Sequence, residues 1–252
     1  MWATKKLAFI SCVLLALPVA AQTKILGVKA TPCALAFAEV VSNVADYQAG
    51  TSGTTIATGA ITLTSGNGAV VLVTVERDSA TDCDGVGDIT VADSGASNTY
   101  DLVSIIHDTG SSNQCSAVFY SGITSTGSVT VTATFVSTDN WRAIAVAEYS
   151  GVASGNYATA SDATAVSAIV ATAAWATPTI DTAASDSLLV GLDVVVSGTG
   201  TSNTPTATAN ERLDVPPFAI EDKLCAGDST IEGDFSGAAR NVSIGMAIKR
   251  LP

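Results

Sequence analysis

The chain has 252 residues and a formal net charge of −12, yet only 13% of its residues are charged and 47% are hydrophobic. It has no cluster of Lys and Arg, which excludes the basic surface that nucleic acids and anionic membranes require. The length is ample for one sizeable core, and no apolar run beyond the N-terminus is long enough for a membrane-spanning helix.

The first 21 residues have the layout of a cleaved secretory signal. Lys5 and Lys6 give a positive start, and the apolar run from Leu7 to Val19 is too short to cross a bilayer. Small residues precede the expected cleavage site after Ala21, and cleavage would change the formal charge to −14. We therefore expect an exported protein with a bacterial-type signal peptide, which is either secreted or held at the cell surface.

The N-terminal part of the mature chain has more than one interpretation. Residues 23–37 could leave their own subunit and add as a strand to the sheet of a neighbouring copy. Residues 33–47 fit either a short helix or an edge strand followed by a loop. The sequence thus predicts a signal peptide (1–21), a segment with a possible exchanged strand (22–53) and a β-sandwich domain (54–252).

From residue 54 onward the hydrophobic period is two, which is typical of β-strands. The clearest case is Val129–Phe135, where apolar residues alternate with threonines. Clusters of Gly, Ser, Asn and Asp separate the strands. The run 68–77 is apolar at nearly every position and should form a central strand. The predicted strands in chain order are 54–62, 68–77, 88–93, 98–107, 115–121, 128–137, 142–150, 164–173, 187–196, 217–224 and 241–249.

Many short strands separated by turns predict an all-β fold. The expected architecture is an antiparallel β-sandwich of the jelly-roll or Ig-like kind, in a single domain. A weak internal similarity relates residues 60–76 to residues 179–196 at an offset of 119. It indicates either two related halves that face each other or the ordinary likeness of two sandwich hairpins.

Four cysteines remain after signal cleavage, and an even number in an exported chain predicts two disulfides, for which three pairings exist. We favour Cys83 with Cys115 and Cys33 with Cys225. The reason is that Cys83 and Cys115 should lie at the same end of a three-stranded meander, within bridging distance.

Three segments carry a resemblance to known proteins: "ITVADSGASNTYDLV" (89–103), "TGSVTVTATF" (126–135) and "IAVAEYSGV" (144–152). In this order they resemble a β-sandwich domain of exported bacterial proteins, including adhesin-like and phage-associated surface proteins. The resemblance covers residues 54–250 as a pattern. It implies a sandwich exposed outside the cell and brings no catalytic residue with it.

The loop "TDCDGVGD" (81–88) contains a candidate metal site. Asp82, Asp84 and Asp88 have the spacing of three ligand positions in a calcium loop. The first and last ligand positions of such a loop are apolar here. The loop is therefore either a partial calcium site or a solvated acidic turn, and no other cofactor is predicted.

The sequence shows no catalytic set. His107 is the single histidine, and no G-x-S-x-G, P-loop or dinucleotide-binding motif occurs. Glu76, Asp101 and Glu148 are the acids available to a secreted glycoside hydrolase, which needs two carboxyls close together. Glu148 has a second interpretation, in which it caps a turn or pairs with Arg142.

Aromatic residues are few, and Trp141 is the candidate ligand contact because it follows "STDN", which reads as a hairpin turn. Trp175, Tyr120, Tyr149 and Tyr157 could complete a sugar-stacking platform. The alternative is that Trp141, as a hairpin tryptophan, caps an edge of the core.

These observations predict a non-enzymatic extracellular structural or adhesive protein. Its expected partners are other copies of itself, in a self-assembling surface filament, or cell-surface components. The alternative is a calcium-dependent, lectin-like module that binds glycans. A polymer subunit suits the weakly charged surface, whereas the lectin alternative rests on the acidic loop and the aromatic residues.

Overall fold

The computed structural model describes most of the chain after residue 39: residues 40–76, 83, 87–95, 97–110, 113–184, 187–198, 203–205, 209–215, 217–224, 228–236 and 238–251. All of them belong to one compact unit that spans residues 32–252. The described residues form sixteen β-strands and one helix of four residues. Within this part of the chain, no helix is long and apolar enough to cross a bilayer. The predicted all-β antiparallel sandwich is confirmed.

The first half of the described chain contains eight strands. They are β1 (Val40–Ala57), β2 (Ile61–Leu63), β3 (Gly68–Glu76), β4 (Ile89–Asp93), β5 (Asp101–Asp108), β6 (Gln114–Gly122), β7 (Gly127–Val129) and β8 (Val131–Tyr149). The main sheet has the antiparallel order β1-β8-β3-β6-β5. The short strand β2 pairs with β7, and β4 pairs with the beginning of β8.

The second half begins with the helix and also contains eight strands. These elements are α1 (Tyr157–Ala160), β9 (Val166–Val170), β10 (Ala174–Ala176), β11 (Leu188–Gly198), β12 (Asn203–Pro205), β13 (Asn210–Val215), β14 (Phe218–Leu224), β15 (Glu232–Phe235) and β16 (Ala238–Ile248). The main sheet has the order β9-β16-β11-β14-β13, and β15 pairs with both β10 and β12 in a small outer sheet.

The two halves have the same topology. If the described strands of each half are counted from one to eight, both main sheets have the order one, eight, three, six, five. The second strand pairs with the seventh in both halves. The internal similarity of the sequence therefore relates β3 to β11, the central strands of the two main sheets, and agrees with the interpretation of two related halves.

The main sheets pack face to face, and strand alternation decides which side chains meet between them. Val70 and Leu72 of β3 contact the same core cluster as Val190 and Leu192 of β11. The intervening Val71 faces away and packs with β2, β4 and β8. Both faces of β3 are thus covered, which explains its continuous apolar sequence and confirms its predicted central position.

The sequence offset of 119 does not match side-chain directions. It aligns Val70, which faces the opposite main sheet, with Leu189, which faces the small outer sheet. Because side chains alternate along a strand, the offset between structurally equivalent positions must be even.

The N-terminal region is described from Val40 onward. Residues 40–57 form β1 at the edge of the first main sheet, so the edge-strand interpretation of residues 33–47 holds for its described part. β1 continues across the predicted boundary between residues 53 and 54, with shifts in its register to β8 on both sides of Gly53. The predicted exchangeable strand, residues 23–37, lies outside the described residues.

A disulfide joins Cys83 to Cys115, whose Cα atoms are 5.6 Å apart. It fastens the segment before β4 to the start of β6, and both residues are buried in the outer core of the first half. This is the pairing predicted from the sequence. Cys33 and Cys225, the second predicted pair, lie outside the described residues.

An ion pair connects the two halves. Arg240 of β16 donates from Nε and Nη2 to the carboxylate of Asp108 of β5, at 2.5 and 2.6 Å, and the Gly110 N–H adds a hydrogen bond at 2.8 Å. Burial acts to raise the pKa of Asp108. The hydrogen bonds from Arg240 and Gly110 and the charges of Arg240 and His107 outweigh burial and lower that pKa below its ordinary value.

We expect the protein to lose stability in acid as this ion pair is lost. A carboxyl group whose pKa is lowered by folding contributes stability above its unfolded pKa, and the contribution disappears as the pH falls through the folded pKa. Arg240→Gln should lower the urea midpoint near neutral pH and move acid unfolding to a higher pH. Urea titrations from about pH 2 to about pH 7 measure both effects. The exposed Lys249 provides the control, Lys249→Gln, and an unchanged acid profile in Arg240→Gln would contradict the prediction.

Candidate functional site

The predicted acidic loop is described only in part. Asp82 and Asp84 lie outside the described residues. Asp88 precedes β4, and its backbone carbonyl accepts a hydrogen bond from the Val136 N–H at 3.3 Å. The calcium loop therefore stays a prediction.

Glu148 is a buried structural carboxylate. Its Oε1 accepts hydrogen bonds from the Thr64 N–H at 2.7 Å and the Asn67 amide at 2.8 Å, and its Oε2 accepts one from the Ser42 hydroxyl at 2.9 Å. These bonds fasten β8 to β1 and to the turn between β2 and β3. The turn-capping interpretation is thus the observed one, whereas Arg142 donates to backbone carbonyl groups of β1.

The three acids suggested for glycoside hydrolysis are far apart. In the β3–β8 register Glu148 lies opposite Ala69, and Glu76 follows seven residues later along β3, roughly 23 Å away. Asp101 lies on β5, three strand spacings or roughly 14 Å from β8. A carboxyl pair that hydrolyses glycosides spans less than about 10 Å. The sheet therefore does not bring any two of these acids together as a catalytic pair.

The polar residues of the "DSGASNTY" segment build the turn between β4 and β5. The Asp93 carboxylate accepts hydrogen bonds from the backbone of Ser97 and from the side-chain amide of Asn98, at 3.2 and 2.7 Å. The Asn98 Oδ1 accepts the Thr124 N–H at 2.9 Å. The polar residues that carry this part of the resemblance therefore form a turn.

Trp141 does not lie in a hairpin turn, because β8 is continuous through this position. The polar "STDN" residues are strand residues at the sheet surface. The half-buried Trp141 indole donates to the hydroxyl of Tyr47 at 3.0 Å, and the rings meet edge to face with centroids 5.7 Å apart. The broader sugar-stacking platform is wrong, since Trp175, Tyr120 and Tyr149 are buried in the core.

The structure contains a buried acidic cluster that was not predicted from the sequence. Asp193 of β11 and Glu221 of β14 lie on the face of the second main sheet that is turned toward the small outer sheet. Both residues are 0% exposed. Gly191 is the register partner of Glu221, so the two acids are diagonal neighbours on one face.

The small outer sheet orients Glu221. Trp175 of β10 donates its indole N–H to Asn203 Oδ1 at 3.0 Å, which turns the Asn203 amide nitrogen toward the acids. That nitrogen donates to Glu221 Oε1 at 2.5 Å and to Glu211 Oε2 at 3.3 Å. A Cβ at Gly233 of β15 would lie 2.6–2.8 Å from atoms of Asn203, Trp175 and Glu221, so only glycine allows β15 to cover the cluster this closely.

Several buried oxygen atoms of this face have no hydrogen-bond partner in the part of the chain that the structure describes. Among the described residues they are Asp193 Oδ1 and Oδ2, Glu221 Oε2 and Asn241 Oδ1. Burial, together with the charge of Glu221, raises the pKa of Asp193 well above its ordinary value. Burial also raises the pKa of Glu221 to about 7, against the opposing hydrogen bond from Asn203. Such a cluster either holds protons or binds a cation, because unpaired carboxylates are costly in the interior.

A groove of about 390 Å³ lies outside the cluster, on the small outer sheet. Its lining includes Trp175 and Gly233, which also contact the cluster, together with the exposed acids Glu232 and Asp234. The surface of this groove therefore carries negative charge.

The sequence does contain a signal for this cluster. A strand covered on both faces is apolar at nearly every position, as β3 is. Asp193 interrupts the otherwise apolar "LLVGLDVVV", at a position that faces the outer sheet. The predicted strand rested on the apolar residues that alternate on the inward face of β11, and Asp193 on the other face was therefore not singled out.

Comparison with known proteins gave no match to the model of any protein family, to any curated protein or to any solved structure. The function is therefore inferred from the geometry of the described residues.

Proposed function

We propose that this protein is a non-enzymatic structural or adhesive protein that acts outside the cell, as a subunit of a self-assembling surface filament. The N-terminal sequence and the even number of cysteines after it support export. Glu148, one of the acids suggested for catalysis, instead holds a turn, and Asp108 joins the two halves.

The observation that carries the proposal is the long edge strand β1. Among the described strands it pairs only with β8, although Asn43 also reaches the Arg212 carbonyl of β13 at 2.8 Å. Val41 and Tyr47 of β1 are 52% and 48% exposed. A long edge strand with exposed apolar side chains is a template for pairing with another chain.

The proposed occupant of this edge is residues 23–37 of a second copy. This segment carries apolar Ile25, Leu26 and Val28, which can fill pockets along an added strand. It ends only two residues, Ala38 and Glu39, before β1 begins. These two are not the residues that form a tight hairpin turn, so pairing with β1 of the same chain is disfavoured.

Light scattering after size exclusion, with electron microscopy, tests this assembly on the secreted protein. We expect oligomers that disappear when residues 23–37 are deleted. Val41→Lys should weaken assembly at least roughly tenfold, because an added lysine on an edge strand opposes pairing. Val136→Lys is the matched control, since Val136 is 56% exposed on β8. A strictly monomeric parent protein would contradict the filament. Assembly that neither the deletion of residues 23–37 nor Val41→Lys weakens would contradict strand addition.

The alternative function is calcium-dependent binding of glycans, which the half-exposed Tyr47–Trp141 pair favours. A glycan array with and without a chelator distinguishes the two functions. We expect no specific glycan signal under either condition. A signal that Trp141→Ala removes would favour the lectin-like function instead.

A further inference from the structure

The outer faces of the two main sheets differ in chemistry although the sheets share one topology. In the first half, the outward side chains of the central strand are all apolar and buried: Ala69, Val71, Val73 and Val75. In the second half, the central strand carries the buried Asp193 on this face, and its two neighbouring strands carry the buried Glu221, Asn241 and Ser243. The buried acid on this face of the first half is Glu148, which follows Ile144 and Val146 in the strand alternation and has three donors from its own chain. Asp193 has no donor among the described residues.

The acceptor oxygens of these side chains lie on three adjacent strands. Glu221 lies opposite Gly191, and Asn241 lies opposite Val195. These two residues are therefore on opposite sides of Asp193, and only Glu221 shares a site with it. Asn241 donates its side-chain N–H to the Thr172 carbonyl at 2.7 Å, which leaves Oδ1 as the atom without a partner. Both carboxylate oxygens of the fully buried Asp193 and the Oε2 of Glu221 are likewise without a donor among the described residues.

We propose that Asp193 and Glu221 form a binding site for a hard divalent cation of the Ca²⁺ or Mg²⁺ class. Carboxylate and amide oxygens are the ligands that these ions prefer. Two carboxylates balance the charge of a divalent ion, so the filled site is neutral in the low-dielectric interior.

The ligand set is small. Among the described residues, no three His, Cys, Asp or Glu side chains converge as a metal-binding group. The site therefore has two carboxylates, and backbone or solvent oxygens supply its remaining ligands. This composition excludes the soft metals, which select thiolate ligands.

An acidic groove lies outside the wall that Trp175 and Gly233 form next to Glu221. Glu232 and Asp234 line this groove and are exposed. Negative charge in a concave surface raises the local concentration of cations. The groove therefore concentrates the ion next to the wall that covers Glu221.

Luminescence of Tb³⁺, which binds at oxygen-rich calcium sites, tests the proposal. Trp175 lies next to the site through Asn203 and can transfer excitation energy to a bound Tb³⁺. At about pH 8, above the raised pKa of Glu221, we expect a saturable signal with one ion per chain, competed by Ca²⁺ or Mg²⁺. Calorimetry with Ca²⁺ and Mg²⁺ alone identifies which ion binds.

Asp193→Asn should weaken binding at least roughly tenfold, as the loss of one carboxylate ligand and its charge requires. This variant removes a buried charge and should still fold. Asp234→Asn, which changes an exposed acid of the groove, is the matched control and should keep the stoichiometry. Trp141→Phe should keep the luminescence.

Two results would overturn the site: absence of binding by the parent protein, or unchanged binding by Asp193→Asn. Binding that Asp88→Asn abolishes and Asp193→Asn leaves intact would place the ion in the loop 81–88 instead. The oligomeric state of Asp193→Asn is measured separately, so a failed cation site and a failed filament assembly remain distinguishable.

Discussion

Glu148→Ala is expected to lower the free energy of unfolding by about 3–5 kcal/mol, which urea denaturation at neutral pH measures. The substitution removes a carboxylate that accepts three hydrogen bonds and leaves the Thr64 N–H and the Asn67 amide without their acceptor. A hydrogen bond to a charged group contributes about 1.5–3 kcal/mol, and the exposed Thr64 and half-buried Asn67 place these bonds at the low end. The truncated side chain of the buried Glu148 adds a cavity.

Two further variants separate the parts of this effect. Ser42→Ala removes one donor and should cost only about 1 kcal/mol. Glu148→Gln keeps the shape of the side chain but can accept through only one oxygen, so it should fall between the other two. A Glu148→Ala protein as stable as the parent would show that the β2–β3 turn does not depend on this carboxylate.

Removal of the Cys83–Cys115 disulfide should cost about 3–4 kcal/mol, the value expected for a crosslink that closes a loop of this length. The double variant Cys83→Ser, Cys115→Ala tests this without leaving a free thiol. The crosslink restricts the unfolded chain and also fastens the segment before β4 to the outer core of the first half. Urea denaturation of oxidised parent and double variant gives the difference. Equal stability would mean that core packing alone holds this segment.

The two effects should add. In the β3 registers, Glu148 lies opposite Ala69 and Cys115 lies opposite Val75, at opposite ends of the strand. Sites this far apart with no shared partners are usually independent within about 0.5 kcal/mol. A combined variant, stabilised with an osmolyte where necessary, measures this directly.

Residue type alone does not decide whether a buried acid of this protein is a structural group or a candidate cation ligand. Glu148 and Asp193 are both buried carboxylates in strands. Glu148 has three donors from its own chain, which makes it a structural group, whereas Asp193 has none among the described residues. Only the second kind can gain from a bound cation, because the first has no unmet capacity for ligands.

Strand boundaries were predicted correctly where hydrophobic alternation was strong. The predictions were wrong where pairing with neighbouring strands decides where a strand begins and ends. The strands predicted at 88–93 and 217–224 agree with β4 and β14 to within one residue. The two strands predicted at 128–137 and 142–150 correspond to β7 and the single long strand β8. β8 stays continuous through polar residues because it pairs with β4 and then with β3, while β1 follows it along both parts.

The short strands β10, β12, β13 and β15 were missed for a related reason. They lie in sequence rich in Thr, Asn and acids, which is typical of loops. They are strands because neighbouring backbone pairs with them, β10, β12 and β15 in the outer sheet and β13 at the edge of the second main sheet. Backbone pairing of this kind leaves no hydrophobic period in the sequence.

The sequence by itself determined the β-class of this protein and the central position of β3, because these follow from local alternation. It favoured the Cys83–Cys115 pairing among three, because these cysteines lie near strand ends. Only the tertiary structure decided which face of each strand meets which layer. Alternation defines two faces but not what covers them. Asp193 and Glu221 are 28 residues apart in sequence, and the antiparallel register of β11 with β14 makes them neighbours beneath an outer sheet that excludes water.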